Sequence, residues 1–112
     1  MSNPSKIIRK PLLTAELGSK QITTVEIKEI KFEPGQKTGV HFHPCPVTGY
    51  IASGSVDFQI EGEEEIFIPT GGAFYEPAGK TIIKFDNHSD TEPMTFIAFY
   101  LLNGNQELIK ML

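Results

Sequence analysis

Hydrophobic residues in this chain alternate with polar ones over short stretches. Glycine or proline interrupts the alternation at intervals of roughly eight to twelve residues. The segment "QITTVEIKEIKFEPG" (Gln21 to Gly35) is rich in β-branched residues and closes on Pro34-Gly35, a favoured type II turn pair, so it predicts a strand running into a turn. "GSVDFQIEGEEEIFIPTGG" predicts a hairpin, with Val56, Phe58 and Ile60 alternating on one arm and Ile66 and Ile68 on the other. Its acidic "EGEEE" tip reads as a solvated turn rather than a cation site. "FYEPAGKTIIKFDN" repeats the scheme of strand, turn and strand. "MTFIAFYLL" (Met94 to Leu102) is almost continuously apolar and predicts a strand buried on both faces. Only "NQELIKML" has helical spacing, with Leu108, Met111 and Leu112 on one side; it predicts a short helix or an arm packed on a second subunit. The sum is one all-β domain over residues 1–112 with about eight to ten strands. A closed barrel or jelly roll accommodates so many short strands with few open edges.

Composition narrows the partners. An apolar fraction of 39% and a charged fraction of 21% are those of a globular chain, and 112 residues suffice for one core. A net charge of −4 argues against a nucleic-acid surface, which needs clustered Lys and Arg. No apolar run reaches signal-peptide or membrane-span length, and a single cysteine forms no internal disulfide. The expectation is a cytoplasmic protein with neither a membrane nor a nucleic-acid partner.

The candidate chemistry lies in "GVHFHPCPVTGY". His41 and His43 stand at i and i+2 of a predicted strand, so both imidazoles fall on one face and can converge inside a barrel. Imidazole suits Zn, Fe, Ni and Cu, but two ligands alone make a weak site. Cys45 is one possible third ligand, although Pro44 and Pro46 bias the backbone toward a threefold repeat that would turn it away. Glu76 is another, and Tyr75 beside it offers a further oxygen. Cys45 is not favoured as a nucleophile, since nothing nearby would lower its pKa. His88 sits among turn residues and is expected at the surface, while Tyr50 and Tyr100 read as core or interface aromatics.

The glycine, proline and histidine spacing resembles that of the cupins. Gly35, five residues, His41-Phe42-His43 and then Gly54 match the first cupin motif (about residues 35–54). Gly71, Pro77 and Gly79 match the second (about residues 71–86). The resemblance implies a double-stranded β-helix, or jelly-roll barrel. It also implies one divalent ion, of Fe, Mn, Ni or Zn type, held by the two histidines, a first-motif glutamate and a second-motif histidine. Here Val47 stands where that glutamate would be, Ile82 where the second-motif histidine would be, and Asp86 in place of the asparagine. Two of the four ligand positions are therefore apolar.

Three functions fit these residues; the first is the favoured reading, with a divalent metal as a possible rather than a required cofactor. The first is a barrel that binds a small organic molecule in a pocket drawn from His41, His43, Cys45, Val47, Tyr75, Glu76 and Ile82, with a degenerate metal site. The second is a metal-dependent dioxygenase, isomerase or decarboxylase using His41, His43 and a non-standard third ligand. The third is a homodimer acting through its surface. A homodimer is expected in any case from the resemblance and from apolar "KIIRKPLL" and "LIKML" near the two ends.

Overall fold

The computed structural model describes residues 6–112, and among them strands are the only extended regular elements. Nine form: β1 (Thr24–Phe32), β2 (His41–Phe42), β3 (Val47–Ser53), β4 (Val56–Ile60), β5 (Ile66–Ile68), β6 (Ala73–Glu76), β7 (Ile82–Asn87), β8 (Met94–Leu102) and β9 (Lys110–Met111). One sheet has the order β1-β8-β3-β6 and the other β5-β4-β7-β2-β9. Every pairing is antiparallel. The protein is thus all-β, with the two-sheet barrel that the punctuation predicts.

Between the sheets lies an aromatic core. Phe85 on β7 is its hub, meeting Phe32, Phe58, Phe74 and Phe96 at ring-centroid distances of 4.7 to 6.5 Å. Most of these contacts are edge-to-face, the arrangement that the ring quadrupole favours. Gly49 allows this closeness. A Cβ there would collide with the Phe74 ring and the Ile97 carbonyl oxygen.

The structure corrects two expectations. Strand β8 buries only its even-numbered residues fully, from Met94 to Leu102, while its odd-numbered residues are half-buried on the outer face. On that face Leu12, Leu13 and Ala15 of the amino-terminal stretch line an open groove together with Thr48 and Phe99. The helical spacing at the carboxyl end gives instead the short strand β9, because its backbone pairs with β2 through His41–Met111 and Phe42–Lys110. A pattern of three apolar residues is weak against a ladder that satisfies backbone groups. Leu108 packs on the core, whereas Met111 and Leu112 are exposed.

Candidate metal centre

β2 and the bend after it bring His41 and His43 inward, as the i, i+2 rule requires, and their rings meet edge to face at 5.0 Å. Glu76 ends β6 with its side chain on the inner face, directly across the ladder from Val47. Its Oε2 lies 3.5 Å from His41 Nε2 and 3.4 Å from His43 Nε2. These three residues are buried, and one potential ligand atom from each lies within 4.8 Å of the others. Sequence reasoning named Glu76 without motif support, and the β3–β6 register is what places it here.

The other ring nitrogens explain what the cluster can do. His41 Nδ1 lies 2.9 Å from the Gly39 carbonyl oxygen, and His43 Nδ1 lies 2.6 Å from that of Leu108. A carbonyl only accepts, so each Nδ1 carries the proton. In the neutral imidazoles each Nε2 is then a lone pair, and both face a carboxylate oxygen that is also a lone-pair donor. Glu76 Oε2 is correspondingly buried without a hydrogen-bond partner. Three donors aimed at one another are unfavourable alone and suited to a cation. The backbone carbonyls behind the rings are the outer contacts that orient metal-binding histidines.

Titration follows the same geometry. Burial is the largest influence on Glu76 and favours its neutral form, yet His41 and His43 outweigh it and hold the carboxyl below the usual range. Burial likewise opposes protonation of His41, but Glu76, the Gly39 carbonyl and the charge of Asp86 raise its pKa. A proton on His41 Nε2 is therefore the partial remedy without an ion. It can satisfy Glu76 from one side and leaves His43 Nε2 facing the carboxylate.

The remaining candidates divide. Val47 lines the cavity in front of the cluster. Cys45 is wholly buried but not among the converging ligand atoms, and burial pushes its thiol up, away from nucleophilic use. Tyr75 alternates with Glu76 and points outward, its hydroxyl donating to the Glu16 carbonyl at 3.4 Å; it does not line the cavity. Ile82 is in the core as the register partner of His41, also outside the cavity lining. Asp86 accepts the Thr38 N–H at 3.2 Å. The residue after it, Asn87, makes the structural contacts, its Nδ2 donating to the Glu33 and Glu92 carbonyls. His88 is at the surface, 2.9 Å from Asp57. At the acidic hairpin tip, Glu65 pairs with Lys84 at 2.8 Å.

The cavity measures about 150 Å³. Ile30, Phe32, Val47, Phe85, Phe96 and Ala98 make its wall apolar. Tyr100, expected as a core or interface aromatic, is in the core and also lines this cavity, and burial followed by the charge of Glu76 pushes its pKa up to about 12. Ile109, just before β9, completes the lining and is 44% exposed, which places it at the mouth.

A barrel of two antiparallel sheets with one inward histidine on its second strand and another just after it is the arrangement of the cupin class. The Cupin_2 family, described as a cupin domain, matches residues 28–100, and the chain belongs to it. No curated protein matches the chain significantly. Among solved structures it resembles the DMSP lyase DddQ from Ruegeria pomeroyi DSS-3 (TM-score 0.66, 15% identity, 78% of this chain and 42% of that one). It also resembles a cupin-like protein from Thermotoga maritima (TM-score 0.64, 18% identity, 79% and 64%). A third is the oxalate decarboxylase of Bacillus subtilis, a protein with Mn(II) centres (TM-score 0.67, 20% identity, 80% and 24%). At these identities the likeness is one of fold. The chain spans less than half the length of the lyase and about a quarter of the decarboxylase.

Proposed function

We propose that this cupin holds one divalent transition-metal ion on His41, His43 and Glu76, at the inner end of an apolar cavity that admits a small organic molecule. The observation that carries this reading is the orphaned Glu76 Oε2, buried and faced by two Nε2 atoms whose tautomers the Gly39 and Leu108 carbonyls set. Two imidazoles and one carboxylate form the donor set that suits Fe(II) and its neighbours while leaving other positions open. Such an ion supplies Lewis acidity toward a ligand oxygen.

The chain's own residues do the rest. The two carbonyls hold the imidazoles in register, and the phenylalanine wall limits water. The decarboxylase of the same fold has Mn(II) centres, which makes Mn(II) one of the ions to test. The experiment is a melting curve of chelator-treated protein with Mn(II), Fe(II), Ni(II) or Zn(II). At least one ion should raise the melting temperature by several degrees and a chelator should reverse it. No rise with any of the four would refute the reading.

A further inference from the structure

We propose that the cavity selects a compact monoanion, a single anionic oxygen donor on an uncharged apolar body, and discriminates against dianions and zwitterions. This rests on the metal reading above. Two neutral imidazoles and one carboxylate leave a divalent ion with one uncompensated positive charge, which one anionic donor neutralises. Among the described residues no lysine or arginine lines the cavity, so a second anionic group has no partner there. Among the described residues Glu76 is the only acidic one in the lining and is committed to the cluster, so a cationic group has no partner either. Buried charge without a partner is strongly disfavoured. Asp86 is buried nearby, where it accepts the Thr38 N–H outside the lining, and offers a second anionic group no donor.

Size and polarity fit the same class. A cavity of about 150 Å³ is of the size that accepts a benzene ring in a dry protein interior. Its phenylalanines offer contact area, and among the described residues Thr38 and Tyr100 are the only hydroxyl-bearing ones in the lining.

The test uses the full chain loaded with Co(II), whose visible spectrum reports both the ion and any donor added to it. Benzoate, phthalate, malonate and glycine betaine are titrated separately. Benzoate should perturb the spectrum, with an affinity at least about tenfold above each of the other three. Thr38→Lys provides the control, because Thr38 lines the cavity yet is only half-buried, so a lysine there can reach the mouth. That variant should raise phthalate affinity relative to benzoate by about fivefold or more. Malonate or phthalate binding as tightly as benzoate, betaine binding more tightly, or no spectral response to benzoate would overturn the ligand class. An unchanged ratio in Thr38→Lys would overturn its electrostatic basis. Failure to take up Co(II) at all would overturn the metal reading together with this one, which separates the two failures.

Discussion

Val47 and Glu76 are direct partners on the β3–β6 ladder, and both are buried on the inner face. Opposite residues in such a ladder have Cβ atoms about 5 Å apart. The carboxylate that the first cupin motif lacks at position 47 therefore enters from the neighbouring strand. Restoring it at 47 is predicted to harm the site. In Val47→Glu two carboxylates would face each other in a buried setting, and one must take up a proton. Metal affinity should not exceed that of the wild type, and the apo protein should lose about 2 kcal/mol or more. Urea unfolding with and without metal checks both.

Ile82 is the register partner of His41 on β7, so its side chain shares the face on which the imidazoles converge. Ile82→His alone is predicted to supply a fourth ligand and tighten Zn(II) binding by about tenfold or more. Without metal the buried imidazole should lower stability by about 1–3 kcal/mol. Calorimetric titration with Zn(II) reads the first effect and thermal melts the second. The motif comparison counts Val47 and Ile82 as two missing ligands; Glu76, opposite Val47, supplies one of them.

How much was legible depended on the range of the interaction. The i, i+2 geometry of His41 and His43 is local, and the spacing of Gly35, Gly54, Gly71, Pro77 and Gly79 marks turns at fixed distances, so pattern alone gave the barrel and its histidines. Glu76 reaches the site through strand pairing with a distant segment, which no local pattern encodes. The Leu108 and Gly39 carbonyls that orient the imidazoles belong to the backbone and leave no trace in residue identity. The carboxyl end is not the helix its spacing suggests, because Leu108, Met111 and Leu112 mimic a helical face while Lys110 and Met111 complete a ladder beside β2.

Motif glycines should divide by surroundings rather than by spacing. Gly54 and Gly79 both have positive φ (78° and 77°), but a Cβ at Gly54 would come within 2.9 Å of the Pro93 carbonyl oxygen, whereas at Gly79 it meets open space. Gly79→Ala should cost about 1 kcal/mol, for backbone conformation alone. Gly54→Ala should cost more, and Gly49→Ala the most, at about 3 kcal/mol or above, because its neighbours are the core ring of Phe74 and a backbone oxygen. Glu64→Gln at the exposed hairpin tip should cost under about 0.5 kcal/mol. Thermal melts of the four variants give the order.

Metal should reverse the pH trend of stability. The raised pKa of His41 means that its contribution is fully present below 6.5 and lost as pH rises through the raised value. The lowered pKa of Glu76 means that its contribution is present above 4.5 and lost as pH falls through the lowered value. In apo protein the pair should thus stabilise most between those limits, and melting temperature should decline on going from about pH 6 to 8. The increment from added Zn(II) should instead grow over that interval, because the ion needs His41 deprotonated. Parallel melting curves at several pH values, with chelator and with Zn(II), distinguish the two slopes.

The most direct measurement is metal content by mass spectrometry of protein purified without a histidine tag or chelator, comparing the wild type with Glu76→Gln. The variant keeps the size of the side chain and removes the anionic donor on which His41 and His43 converge. Loss of an outer contact alone weakens such sites about 10–100-fold, so loss of this ligand should cost about 100-fold or more. The account predicts close to one transition-metal ion per wild-type chain and almost none in the variant. Metal-free wild type that takes up no added ion, or equal metal in both proteins, would contradict it.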